Sequence, residues 1–166
     1  MDGATLLPEW DQELAGTRAV LSRLAFDRAD FRPHERSWTL VELATHVANL
    51  PMWLPMTLQS EELDLAEPLP SPPLPESRDD LVARFDANVA RARAALAAAS
   101  GEDLGVPWTL RRGTEVFFTV PRLAVVRTMI LNHLIHHRGQ LTVYLRMTGT
   151  PVPGLYGPSA DELAAG

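Results

Sequence analysis

The chain has 166 residues, which fits one domain and is too short for two ordinary ones, so we expect a single domain over residues 1–166. Its net charge of -6 opposes binding to nucleic acid, and its longest apolar runs are too short to cross a membrane. It has no cysteine for disulfides or thiolate metal sites, and its acidic N-terminus does not resemble a secretory signal, so we expect a cytoplasmic protein.

Two helices are predicted in the first third of the chain. Apolar residues at three- and four-residue steps predict the first helix over about residues 6–25. Thr39 and Glu42 fit a capping box, in which each side chain bonds the other residue's backbone amide, so a second helix should begin near Thr39. The apolar stripe of this second helix includes His46, and the prolines after residue 50 kink or end it.

A proline-rich segment follows the second helix. Residues 59–76 hold a short acidic run and then five prolines among eight positions, a pattern that no helix or sheet interior tolerates. We interpret it as a long surface connection, and we favour a semi-rigid connector over a peptide ligand for another protein. Ser77 followed by Asp80 then fits the start of a third helix that ends near Gly101.

The remaining sequence predicts one irregular segment and a fourth helix. Residues 104–120 lose the helical period and form either a short hairpin turning at Gly113 or an ordered loop. After Pro121 an apolar stripe predicts a helix that stops before Gly149. Arg138 lies off its inward arc and is interpreted as solvated, acid-paired or in a dimer contact. The turn-rich tail should fold back over the helices. These elements predict an all-α fold, a four-helix bundle with a long Pro-rich connection between helices 2 and 3.

Three of the five histidines can share one site. His133 and His137 lie four residues apart in the fourth helix, so their rings project from one face, although His136 competes for this role. His46, on the apolar face of the second helix, would supply a third ligand from across the bundle. Three neutral imidazoles plus water make an open site for a divalent ion. Alternatively, each histidine is satisfied separately by a carbonyl or an exposed flank, as we expect for His34 in its charged loop.

Several polar and aromatic residues neighbour these histidines in the predicted helices. Glu42 and Asn49 lie one turn from His46 and could orient its ring, although Glu42 already serves the capping box. Gln140 and Tyr144 follow the histidine pair and either face the same cavity or pack normally. Three indoles either line a ligand pocket or pack in the core and at its rim: Trp38, Trp53 and Trp108.

Two segments of the chain resemble a known family. Residues 31–47, "FRPHERSWTLVELATHV", and residues 133–162, "HLIHHRGQLTVYLRMTGTPVPGLYGPSADE", are similar to the DinB/YfiT-like family of metalloenzymes, which is distinct from the DNA polymerase that shares part of its name. The resemblance covers essentially the whole chain. It implies a bundle in up-down-down-up order, commonly homodimeric, with zinc, nickel or iron held by three histidines. These ligands fall on His46, His133 and His137.

The resemblance also implies a range of activities, because the family includes thiol S-transferases and isomerases that use mycothiol or bacillithiol. We expect a divalent metal ion, zinc before nickel or iron, that activates water or a small thiol toward a small-molecule substrate. The enzyme would then be a transferase or hydrolase, with no nucleic-acid or membrane partner. The alternatives are a non-catalytic, metal-stabilised, stress-related binding module and a metal-free helical dimer.

Overall fold

Helices make up most of the structure, and two of them are preceded by the N-cap residues that the sequence predicts. A computed structural model describes residues 1–69 and 72–164. In the first part of the chain the helices are α1 (Gly3–Leu21), α2 (Leu40–Asn49), α3 (Trp53–Gln59) and α4 (Arg78–Ala98). Both halves of the Thr39–Glu42 capping box are present, and the Ser77 hydroxyl accepts a hydrogen bond from the Asp80 amide. These caps confirm the predicted starts of α2 and α4.

The predicted fourth helix contains a change of helical geometry. It consists of α6 (Arg122–Val125), a π-helical segment (Val126–Asn132) and α7 (His133–Met147). Short helices flank this region, α5 at Gly101–Gly105 and α8 at Ala160–Ala164. A π-helical turn widens the hydrogen-bonding pattern by one residue and often occurs at functional sites. Here it lies immediately before His133.

The main core is formed where the apolar stripes of the helices meet. Helices α1 and α2 both pack against α4 and α7. The buried side chains at this contact include one or more from each of these helices and from the π-helical segment: Leu14, Leu43, Phe85, Ile130 and Leu141. Because burial of a large aliphatic or aromatic side chain contributes roughly 1.5–3 kcal/mol, these stripes supply most of the driving force for folding.

The prediction of an all-α fold is wrong, because the helices are accompanied by a small sheet. Its strands are β1 (Glu62–Asp64), β2 (Pro107–Arg112) and β3 (Glu115–Pro121), in the order β1-β2-β3. Strands β2 and β3 form the hairpin anticipated as one of two alternatives, with Gly113 at φ 57° in its turn. Strand β1 pairs parallel to β2 and belongs to residues 59–76, which the sequence predicts to form a long surface connection without a strand.

Long-range contacts explain why β1 is a strand. Trp108 and Leu110 of β2 are buried in a second, smaller cluster with Val125, which fixes the hairpin against α6. The Arg111 side chain then reaches across to the carboxylates of Glu62 and Asp64 on β1. A strand of three residues is too short to show a periodicity, so its sequence carried no signal for this pairing, although Leu63 at its centre packs against the second cluster.

A hydrogen bond from α4 holds the C-terminal part of the proline-rich connection. The guanidinium of Arg84 donates to the Pro73 carbonyl at 2.6 Å and forms an ion pair with Asp80 one turn earlier. Residues 70 and 71 of the predicted connection, and residues 165 and 166 of the predicted domain, lie outside the described residues. Within the described ranges, every helix is too short or too polar to span a membrane.

A buried ion pair joins α1, α7 and the tail. Arg138 of α7 is only 2% exposed and contacts the Glu13 carboxylate at 2.6 Å, while it also donates to the Glu13 backbone carbonyl. The Tyr156 hydroxyl accepts from Arg138 and donates to Glu13, so the tail folds back onto the helices as expected. Burial and the hydrogen bond to Glu13 raise the pKa of Tyr156, which keeps its hydroxyl protonated as a donor. Of the three interpretations of Arg138, acid pairing is the one observed.

We expect Glu13→Ala to lower the free energy of unfolding by about 3–5 kcal/mol, because it leaves the Arg138 charge buried without its partner. Glu9 of the same helix provides the matched control. It pairs with Arg127 at the surface, so Glu9→Ala should cost only about 0–1 kcal/mol. Urea denaturation of both variants measures the difference, and equal losses would contradict the structural role assigned to the buried pair.

Candidate metal site

The structure brings His46, His133 and His137 together between α2 and the start of α7. One ring nitrogen from each lies within 4.8 Å of the other two, and all three side chains are partly buried. Their ring centroids are 4.7–5.0 Å apart in every pair. The i,i+4 spacing places two rings on one face of α7, and the packing of α2 against α7 supplies the third.

Hydrogen bonds assign the proton of two of the rings to Nδ1. His133 Nδ1 lies 3.2 Å from the Met129 carbonyl, and His137 Nδ1 lies 2.6 Å from Gln140 Oε1, both of which can only accept. The backbone N–H of His133 donates instead to the Ile130 carbonyl. The Met129 carbonyl, which a regular α-helix assigns to the His133 amide, therefore accepts from the His133 ring. Both rings keep the Nε2 lone pair for another partner.

The distance between two of these nitrogens fits a shared metal ion. His46 Nε2 lies 3.2 Å from His133 Nε2. Two imidazole nitrogens bound to one tetrahedral zinc ion stand about 3.3–3.4 Å apart, given Zn–N bonds of roughly 2.0–2.1 Å. Without an ion, one of the two nitrogens must donate a proton to the other. These two nitrogens are therefore already at the spacing that a divalent ion requires, and the ring nitrogen of His137 lies within 4.8 Å of both.

The electrostatic environment favours neutral rings, which is the form that binds metal. Burial, followed by the repulsion that a protonated His46 would meet from protonated His137 and His133, lowers the pKa of His46 from 6.5 to about 4. Burial also lowers the pKa of His133, against the opposing effect of its bond to the Met129 carbonyl. At neutral pH both imidazoles are uncharged, so an incoming cation meets lone pairs rather than like charges.

The other predicted candidates lie around the cluster with different roles. His136 is exposed and its ring meets that of His137 edge-on, with the ring centroids 4.9 Å apart, and His34 is also exposed. Glu42 is held by the capping box, where Oε2 accepts from the Thr39 amide and hydroxyl. Tyr144 is buried and donates to the Trp38 carbonyl at 3.0 Å, so it positions the loop before α2. Gln140 is the candidate that orients a histidine.

A cavity of about 890 Å³ opens beside His46. Its polar lining comes from α2, with Glu42, Thr45 and Asn49 in addition to His46. The remaining lining residues are apolar and come from the loop before α2, the turn into α3, α3 itself and the proline-rich connection: Trp38, Met52, Trp53, Met56, Leu69, Pro72, Pro73 and Leu74. Its volume lies in the range of roughly 300–1,000 Å³ that is typical of small-molecule sites.

Of the three tryptophans singled out in the sequence, Trp38 and Trp53 line this cavity and Trp108 does not. Trp38 is 48% exposed, and its ring centroid lies 5.0 Å from that of His46 and 5.8 Å from that of His137. Trp108 is buried under the hairpin and donates to the Ser60 hydroxyl. Trp38 thus takes the first of its two predicted roles, lining a pocket, whereas its position beside the histidines depends on a loop that has no periodicity to predict it.

These observations define a mostly helical protein with a small sheet and a three-histidine cluster that could bind a divalent metal ion at the edge of a cavity. The model of the DinB family matches residues 1–165. The chain therefore belongs to the DinB family.

Known relatives agree with this assignment. A Bacillus subtilis (strain 168) protein described as the uncharacterized protein YrdA is 27% identical over 162 residues, which cover 95% of this chain and 90% of that protein. A DinB-like protein from Bacillus cereus ATCC 10987 has a similar structure, with a TM-score of 0.70, 24% identity and coverage of 91% of this chain and 95% of that one. The DinB-like protein YjoA from Bacillus subtilis also superposes with a TM-score of 0.70, at 18% identity over 91% of this chain and 96% of that one. At these identities the two structures show a shared fold.

We expect Gln140→Ala to weaken zinc binding by about 10- to 100-fold, because it removes the acceptor that holds the proton of His137 on Nδ1. Competition with a chromophoric chelator measures the affinity. Gln140→Glu keeps an acceptor at the same position and should retain affinity close to that of the parent. An unchanged affinity in Gln140→Ala would show that His137 does not need this partner.

Proposed function

We propose that this protein is a metal-dependent enzyme in which His46, His133 and His137 hold one divalent ion, with zinc preferred over nickel or iron. The observation that carries the proposal is the convergence of three histidine nitrogens within 4.8 Å at the edge of a large cavity. Three protein ligands leave coordination positions open, as in catalytic rather than structural zinc sites.

The proposed reaction is attack by water or a small thiol on a small electrophilic substrate, of the hydrolase or thiol S-transferase type. A divalent ion in such a site lowers the pKa of water or a thiol, so that the nucleophile is available at neutral pH. Gln140 and the Met129 carbonyl orient two of the histidine rings, and the lowered pKa of His46 and His133 keeps both ready to bind. Trp38 covers the cluster on one side and limits access of bulk water.

The proposal extends to the state of the protein in the cell. We propose a cytoplasmic homodimer whose partner molecules are small substrates, including a low-molecular-weight thiol, and we propose no nucleic-acid or membrane partner. The family resemblance and the acidic net charge of -6 support these points. We also propose that the long helices follow the up-down-down-up order of a four-helix bundle, to which the sheet is an addition.

The metal site is tested by elemental analysis of tag-free protein, since a purification tag can import nickel. We expect about one equivalent of metal in the parent, as three neutral imidazoles in the observed cluster suffice for a zinc site. A His46→Ala, His133→Ala, His137→Ala triple variant should hold almost none. A folded parent that stays metal-free after reconstitution would overturn the proposal.

The reaction type is tested by the loss of a thiol-reactive electrophile, monobromobimane, in the presence of cysteine. If the activated nucleophile is a thiol, metal-loaded protein should accelerate the loss well above the rate with metal-free protein. Equal rates would argue against thiol activation, and a hydrolase screen would follow. A strong increase in melting temperature on metal loading, together with an empty substrate screen, would favour the non-catalytic, metal-stabilised module.

A further inference from the structure

The cavity beside the histidines has an apolar surface that is open to solvent. Trp38, Leu69 and Leu74, which are 48%, 41% and 50% exposed, are among the large hydrophobic side chains that the fold leaves accessible, and all three line this cavity. Two thioethers, Met52 and Met56, add a polarisable and adaptable surface. Exposed apolar groups that converge on one concavity indicate a binding site for an apolar ligand.

The charge of the lining is negative. Among the described residues that line the cavity there is no lysine or arginine, and Glu42 is the one acidic residue. Hydrogen bonds from Thr39 to Glu42, with a smaller contribution from the charge of Arg32, lower the pKa of its carboxyl group. Glu42 therefore carries its charge at neutral pH and repels anions that enter the cavity.

The outer wall of the cavity is held in place. Pro72, Pro73 and Leu74 form part of this wall, and Arg84 of α4 donates to the Pro73 carbonyl at 2.6 Å. Arg84 is itself held by the ion pair with Asp80. Since proline fixes the backbone φ angle and the segment is anchored, the wall needs little further ordering when a ligand binds. The connection thus contributes to a preformed pocket.

We propose that this cavity binds a small molecule with an uncharged, apolar body, aromatic or aliphatic, and discriminates against anions. The apolar body lies against Trp38, Met52 and Met56, and the other end of the molecule points toward His46. That this molecule is the substrate rests on the proposed function, whereas its binding does not require a metal ion.

Two probes of the same shape and different charge test the proposal: naphthol, which is neutral, and naphthoate, which is an anion. Calorimetric titration of the full-length, metal-free protein should show naphthol binding about tenfold more tightly, because naphthoate loses hydration and is repelled by Glu42. Equal affinities, tighter binding of naphthoate or binding of neither probe would overturn the proposal.

Two variants show whether the selectivity arises in this cavity. Glu42→Gln removes the charge and can keep the capping box. It should therefore reduce the ratio of the naphthol affinity to the naphthoate affinity about threefold. Met56→Lys adds a cation to the wall and should strengthen naphthoate binding, whereas Met147→Lys, an exposed position of α7 outside the lining, should leave both affinities unchanged. Unchanged selectivity in both Glu42→Gln and Met56→Lys would place the probe elsewhere and overturn the proposal.

Metal analysis of the same samples separates this proposal from the proposed function. Selective binding of naphthol by a protein that cannot take up metal would support the cavity ligand and contradict the enzyme. A protein that binds one equivalent of metal but no naphthol would support the metal site of the proposed function and contradict the cavity ligand.

Discussion

The rotation of α7 about its own axis decides which of its side chains meet α1 and which meet α2. His137 and Arg138 are neighbours in sequence and therefore point in directions about 100° apart around the helix. Arg138 is fixed on the α1 side by the buried carboxylate of Glu13 and by Tyr156 from the tail. With that side held, His133 and His137 must face α2. A buried charge has few alternative positions, because any other setting would leave it without a partner.

This arrangement explains how one helix serves both the stability and the candidate chemistry of the protein. The same helix presents apolar residues to the core, an arginine to α1 and two imidazoles to α2. The His133 amide bonds the Ile130 carbonyl, so the Met129 carbonyl accepts from the His133 ring, and Gln140 accepts from the His137 ring one turn later. With the Nδ1 proton of each ring held in this way, the Nε2 lone pairs of His133 and His137 are oriented for metal ligation.

The irregular parts of the chain shape the surroundings of the cluster. The loop before α2 carries Trp38 next to the histidines, and Tyr144 of α7 holds its backbone. The proline-rich connection forms the outer wall of the cavity, where Arg84 holds it through a hydrogen bond to the Pro73 carbonyl. The sheet anchors the other end of that connection, because β1 pairs with the hairpin that is buried against α6. These segments lack periodicity but together define the shape and polarity of the pocket.

The long helices and their caps could be predicted from the sequence alone, and the spacing of the histidines together with the family resemblance predicted which three would meet. Periodicity and capping are local properties, so Thr39, Ser77 and the i,i+4 spacing of His133 and His137 could be interpreted without a partner in view. Three features could be found only from the folded structure: β1 is a strand, Arg138 is buried against Glu13, and Trp38, Pro72 and Pro73 line a cavity beside His46. Each of these features depends on contacts between residues that are far apart in the chain. Such contacts are set by how the elements pack, so local sequence patterns do not predict them.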